Sequence, residues 1–267
     1  LESVMINFIL SKRGVFILFS LYSLLSFSQN INVGPYLQDA EPNSITIMWE
    51  TSSGEERTVE WGETANLGNT TSGIFITGSG FSRIHITALS GLTANTKYYY
   101  RVITNNTQSD VFDFVTPPLA NSEASFNLIS MSDMQRDWEH PNVFEDIIND
   151  EIIPFVNNRY GNDLATDLAY VFIPGDLVVT GSNYGSWEDS FFDPAQPLLQ
   201  HVPVYPVAGN HEQNSANYFK YFSLPTNGTN QNDYLEHWYY KDYSNVRLIG
   251  LESNSGYRIQ EQLDWLQ

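Results

Sequence analysis

Apolar and polar residues alternate through most of the stretch from Ile31 to Pro118. Ser44 to Glu50 (SITIMWE) places Ile45, Ile47 and Trp49 on one face of a strand. Arg57 to Gly62 (RTVEWG) repeats the pattern with Val59 and Trp61. Ile84 to Leu89, Lys97 to Ile103 (KYYYRVI) and Asp110 to Thr116 continue it. Turn-forming runs such as EPNS, SSGEE and NNTQS separate these segments. Short alternating strands with regular turns predict an all-β sandwich over 30–118. Residues 119–123 follow Thr116-Pro117-Pro118 as a short, stiff linker.

From Ala124 the period changes. Ser125 to Met131 (SFNLISM) is an apolar strand ending in Ser132-Asp133. Val143 to Val156 has helical spacing, with Val143, Ile147, Ile148, Ile152 and Val156 as its apolar positions and Pro154 expected to kink or end it. Leu168 to Ile173 is a second apolar strand, running into Pro174-Gly175-Asp176. Pro203 to Val207 is a third, running into Gly209-Asn210-His211-Glu212. Strand, helix, strand in this order predicts a mostly parallel sheet buried on both faces. Polar residues just past the strand ends lie on one rim of such a sheet, where ligands bind.

The residue types on that rim fit one chemistry. A carboxylate such as Asp176 can bridge two cations, Asp133 can hold one of them, and the Asn210 amide oxygen can hold the other without adding charge. His211, next along the turn, can reach phosphoryl oxygens or a leaving group. Gly175 and Gly209 permit sharp turns and close backbone approach. A lone Asp after a strand is commonly a cap or turn former, and a Gly-Asp pair is common in turns. The three strand ends together, closing with GNHE, are far more specific.

Composition narrows the partners. The 267-residue chain has 31 acidic and 12 basic residues, a formal net charge of −19, which repels nucleic acid and is compatible with hard cations. It has no cysteine, so disulfides and thiolate metal ligands are excluded. Met5 opens a leader with basic Lys12 and Arg13, an apolar core from Val15 to Phe27 and small polar residues Ser26 to Gln29. The apolar run is shorter than the roughly 20 residues of a membrane span, so a cleaved signal peptide and export to the periplasm, cell surface or medium are expected. Leu1 to Val4 read as upstream translation.

These features together resemble a calcineurin-like metallophosphoesterase of the purple acid phosphatase branch. The resemblance rests on SDMQ (Ser132–Gln135), PGDLV (Pro174–Val178), VYPVAGNHE (Val204–Glu212) and YSNVRLIGLESN (Tyr243–Asn254). RIQEQLDWLQ (Arg258–Gln267) is similar to the helix that follows in the family, and NVGPYLQ (Asn32–Gln38) to the opening of its leading domain. Leu89 to Val102 (LSGLTANTKYYYRV) resembles the E–F corner of a fibronectin type III domain, making Tyr98 a buried residue with its hydroxyl bonded to backbone. Trp49, Trp61 and Tyr98 are then core residues in preference to carbohydrate-binding aromatics.

The resemblance implies a fibronectin type III-like sandwich followed by the N-terminal part of an α/β phosphoesterase domain over 124–267. It implies hydrolysis of phosphomonoesters, sometimes diesters, by a metal-bound hydroxide attacking in line. Two divalent ions (Mn, Zn or Fe) would serve a small phosphate ester. Asp133 matches the first-metal aspartate, Asp176 the bridging aspartate, Asn210 the second-metal asparagine and His211 the histidine that contacts phosphate. Glu212 is expected to orient its neighbours or lie on the surface.

The chain also departs from the family pattern. Gln135 stands where many relatives have histidine, and it can touch a metal or position water. Val179 stands where purple enzymes carry a tyrosinate, so the purple colour is expected to be absent. Tyr184 and Trp187 are expected to pack under the loop. The family's three further histidines have no match among His85, His140, His201 and His237. An incomplete reading frame with weak metal binding is therefore expected. The alternative is a non-catalytic secreted binding or adhesion protein with a degenerate phosphoesterase domain. Substrate choice would fall to loops Thr180–Gln200 and Tyr218–Glu236.

Overall fold

The computed structural model describes residues 30–267; the leader expected over 1–29 lies outside the described residues. Two antiparallel sheets form the N-terminal sandwich. One runs β1 (Ile31–Glu41), β2 (Ser44–Thr51), β6 (Arg83–Ser90) and β5 (Ile74–Thr77) in spatial order. The other runs β4 (Asn69–Ser72), β3 (Thr58–Gly62), β7 (Lys97–Thr104) and β8 (Thr107–Gln108), with β9 (Phe112–Val115) on the free side of β7. Ile45, Ile47, Trp49 and Val59 share the core between the sheets, as the alternation predicts, together with Tyr98 and Phe114, whereas Trp61 packs against it half-buried. The Tyr98 hydroxyl accepts from the Thr93 amide at 3.0 Å, and the Trp49 indole donates to Thr104 Oγ1 at 2.9 Å. Trp61 donates to Thr71 Oγ1 at 3.0 Å.

β2 is buried on both faces, beyond what its alternation suggests. Its second face carries Met48 and Glu50, and these lie against the following unit. Met48, Val33, Tyr36 and Ile84 belong to one apolar cluster with Trp187, Phe192, Tyr205 and Tyr221. β1 adds polar ties. Gln38 Nε2 donates to the Val204 carbonyl at 3.0 Å, and Tyr36 donates to the Tyr221 carbonyl at 2.6 Å. The linker is tied too, with Asn121 N donating to the Ser244 carbonyl at 2.8 Å.

The second unit holds a parallel three-stranded sheet, β10 (Leu128–Ser130), β11 (Tyr170–Ile173) and β12 (Val204–Pro206), in that spatial order. The registers Ser130↔Phe172 and Phe172↔Tyr205 bring all three C-terminal ends to one rim. β11 and β12 are almost wholly buried, but β10 is an edge strand, and both Leu128 and Ser130 are exposed. Burial on both faces therefore fails at this edge. A hairpin of β13 (Tyr239–Tyr243) and β14 (Val246–Gly250) and a helix over Gln260–Leu266 follow.

The helix predicted from Val143 runs through Pro154 to Arg159 without ending. Its middle turn, Ile147–Ile152, is wound as a π-helix, and the first proline follows at the second position of the next α-turn. The wider turn accommodates the missing proline N–H, which a regular α-helix interior would not. Helix Asp193–Leu199 repeats the device, with a π-turn over Glu188–Phe192 ahead of Pro194. Val143 and Ile147, expected in the core, are exposed, whereas Phe144, Ile148 and Val156 are buried. Phe144 and Ile148, at ordinary i, i+4 spacing, form the inward stripe, and Val143 and Ile147 each lie one position round the helix from it.

Three of the histidines outside the rim, His85, His201 and His237, pack within the fold. His85 is buried beneath Trp49, bonded to Thr51, and burial pushes its imidazole down to about 4. His201 Nδ1 meets Asp113 Oδ1 at 2.5 Å, and His237 is buried and stacked on Tyr257. His140 lies in an exposed turn ahead of the helix, its amide donating to Asp137.

One acid predicts a pH dependence of stability. Burial pushes the Glu236 carboxyl up to about 7 from 4.5, although the Leu224 amide donates to it at 2.7 Å. Its protonated form is thus favoured in the folded state. The stability it contributes is complete below pH 4.5 and is lost as pH rises through 7. The expected loss is about 2–3 kcal/mol. Glu236→Gln, which keeps the acceptor for Leu224, should flatten this part of the profile; urea midpoints across that range check it.

Candidate metal centre

Asp133 follows β10, Asp176 follows β11, and Asn210 follows β12. All three line one cavity of about 400 Å³. Asp133 and Asp176 both have φ of +58°, a left-handed conformation uncommon outside glycine. Aspartate tolerates it at modest cost, and such strain concentrates at functional sites. Ser132 Oγ donates to Asp133 Oδ2 at 2.5 Å, and the His211 amide donates to Asp176 Oδ1 at 3.0 Å. Both carboxylates are thus oriented, as metal ligands are by their outer neighbours.

The loops approach closely. A Cβ on Gly209 would lie 2.2 Å from Asp176 Oδ1, and one on Gly175 would lie 2.8 Å from the Gly209 Cα. Gly175 also has φ of +108°, so it needs glycine twice over.

Glu212 holds the approach together. It is completely buried, and its two oxygens accept four backbone N–H groups. Oε2 takes Gly209 N at 2.7 Å and Asp176 N at 2.9 Å; Oε1 takes Leu177 N at 2.8 Å and Val178 N at 3.3 Å. Burial pushes its carboxyl up while the four N–H groups pull it down. It is an orienting residue and lies nowhere near the surface.

His211 is half-buried and lies off the cavity lining. Its Nδ1 lies 2.8 Å from the Val179 carbonyl, so Nδ1 carries the proton and Nε2 is the ring's free nitrogen. With its amide nitrogen turned toward the site, Gln135 donates to the Asp176 carbonyl at 3.0 Å and the Asp133 carbonyl at 3.1 Å. It ties the first two loops together. Trp187 is buried and donates to the Gly181 carbonyl at 2.9 Å, packed under the loop as expected.

Two lining residues went unpredicted. Ser253 and Asn254 reach the cavity from the end of β14, and Asn254 Nδ2 donates to the Ala208 carbonyl at 3.1 Å. Their signal was the same as for the others, polar residues directly after an apolar strand.

The donor set is two carboxylates and a neutral amide, all oxygen, which suits hard or borderline divalent ions. Neither aspartate is paired with Lys or Arg among the described residues. Among the described residues, no three His, Cys, Asp or Glu side chains gather into a metal cage. The set therefore fits a metal as a partial shell.

A β-sandwich leading into a parallel sheet whose strand ends present Asp, Asp and Asn-His defines a metallophosphoesterase fold. Residues 32–116 match the family model of the purple acid phosphatase N-terminal domain, and residues 126–266 match that of calcineurin-like phosphoesterase. The chain belongs to the calcineurin-like phosphoesterase family. Among solved structures it is similar to purple acid phosphatase PPD1 from yellow lupin (Lupinus luteus) seeds. That likeness has a TM-score of 0.62 and 19% identity, over 87% of this chain and 47% of that one. It is also similar to PhoD, with TM-score 0.56 and 12% identity over 82% of this chain and 51% of that one. The chain thus spans about half the length of these structures. No curated protein sequence matches it. Among the described residues no helix is long and apolar enough to cross a membrane.

Proposed function

We propose that this chain carries one rim of a two-metal phosphoesterase site, in an exported enzyme that hydrolyses phosphomonoesters. The observation that carries the reading is the convergence of Asp133, Asp176 and Asn210 on a single cavity from three successive parallel strands. Asp133 and Asp176 would hold the ions, Asp176 between them, with Asn210 on the second. Two ions there supply Lewis-acid stabilisation of the phosphoryl oxygens. His211 lies off the cavity lining with its Nδ1–H fixed on Val179, and its Nε2 is assigned to a phosphoryl or leaving oxygen of an ester bound there. Gln135 is assigned a positioning role.

The chain alone is expected to bind Mn²⁺ or Zn²⁺ weakly and to turn over p-nitrophenyl phosphate slowly, because the donor set is partial. Calorimetric titration with Mn²⁺ should show binding weakened about tenfold or more by Asp176→Asn. Unchanged binding in that variant would remove Asp176 from the site. A protein silent toward several metals and esters would favour a non-catalytic binding role.

A further inference from the structure

Asp133 stands between two openings. On its other side lies a second cavity, of about 600 Å³, within the size range of small-molecule sites. Asp133 lines both cavities, and Gln135 and Val179 line the second beside it. Its remaining lining is largely apolar, including Met131, Phe144 and Ile147. Trp138 also lines it and is 93% exposed. Val143 and Ile147, the helix positions that the sequence assigned to the core, face the same space. Exposed apolar side chains gathered in one place mark a binding surface more often than chance scatter. Trp138 sits on a fixed turn: Asp137 Oδ1 accepts from Glu139 N at 2.6 Å and His140 N at 3.0 Å. Arg136 is the only permanent cation on the lining, in a chain whose net charge of −19 otherwise repels an anionic ester.

We propose that this second cavity receives the organic part of the ester, and that the preferred substrates carry an aromatic or similarly flat apolar group stacked on Trp138. The inference rests on the phosphoesterase reading. With phosphorus beside Asp133, Asp176 and Asn210, the ester's carbon side projects past Asp133 into this cavity. Arg136 offsets the charge of the entering dianion.

Calorimetry of the full chain with Mn²⁺ tests this, using inorganic phosphate, methylphosphonate and phenylphosphonate as inert probes. Phenylphosphonate should bind about tenfold tighter than methylphosphonate, the scale of one aromatic contact with its buried area. Trp138→Ala should erase that preference while leaving methylphosphonate and phosphate unchanged, and Trp138→Phe should restore most of it. The residue is exposed, so the fold should survive both changes. Equal affinity for the two phosphonates, or a preference indifferent to Trp138→Ala, overturns the proposal alone. Failure of inorganic phosphate to bind at Mn²⁺ concentrations that saturate the chain overturns the phosphoesterase reading, and the proposal with it.

Discussion

Glu212→Ala is expected to destabilise the chain by about 4–5 kcal/mol and to abolish metal binding in whatever fraction stays folded. The side chain is fully buried and accepts four backbone N–H groups from two loops. Truncation leaves those donors buried without acceptors, at about 1–3 kcal/mol each before relaxation. A domain's total stability is about 5–15 kcal/mol, so the variant should be marginal. The loss reaches the site because Gly209 and Asp176 share one carboxylate oxygen, Oε2. Freed from it, the loops bearing Asp176 and Asn210 can separate. Glu212→Gln separates charge from shape. Its amide oxygen still serves two donors, while its nitrogen faces the other two, so about 2–3 kcal/mol should be lost. Urea denaturation gives the stabilities, and hydrogen exchange at Gly209, Asp176, Leu177 and Val178 reports the clamp itself. If Glu212→Gln matched the parent in both, an ionised clamp would be the wrong account.

The sandwich was legible where one face of a strand is apolar and the other polar. Ile45, Ile47 and Trp49 sit where their period-two spacing puts them. The same pattern misleads at Glu50, which alternation would send to solvent. That residue is buried because residues more than 130 positions away cover it, and no local period records such a neighbour. β4 and β5 were unreadable for the opposite reason. Asn69–Ser72 is polar and mostly exposed, and Ile74–Thr77 is an edge strand with Ile74 in solvent. The helix from Val143 was visible but its apolar face only in part: Ile148 and Val156 are buried with Phe144, whereas Val143 and Ile147, apolar but one position round the helix, face out.

At the site, the positions of Asp133, Asp176 and Asn210 followed from a topological rule, that parallel strands deliver their C-terminal ends to one rim. The roles of Glu212 and Gln135 did not. Each acts on backbone N–H or carbonyl groups, and the direction of those groups depends on the left-handed turns at Asp133 and Asp176. A sequence shows that a turn is required there, and not which way its amides point.

Glu50 joins the sandwich to the site, and Glu50→Ala should cost about 2–4 kcal/mol, because two tyrosine hydroxyls lose their acceptor at about 1–3 kcal/mol each before relaxation. Its carboxylate is buried and accepts the hydroxyls of Tyr184 and, at 2.8 Å, of Tyr221. Burial, reinforced by Glu50, pushes the Tyr184 hydroxyl up to about 12 and that of Tyr221 further, so both remain donors at any physiological pH. Tyr221 ends the helix Ala216–Tyr221, and Asn217 of that helix donates to the Gly181 carbonyl at 3.0 Å. Gly181 N in turn donates to the His211 carbonyl at 2.9 Å. A loosened Glu50 should therefore relax the segment behind His211 as well as the interface between the two units. Combining Glu50→Ala with Tyr221→Phe should cost less than the sum of the separate changes by about 1 kcal/mol or more, because the second change removes a hydroxyl already stranded. Chemical denaturation of the four proteins closes this cycle. Strict additivity would mean that Glu50 and Tyr221 stabilise the chain independently, and the sandwich would then have no mechanical hold on the metal rim.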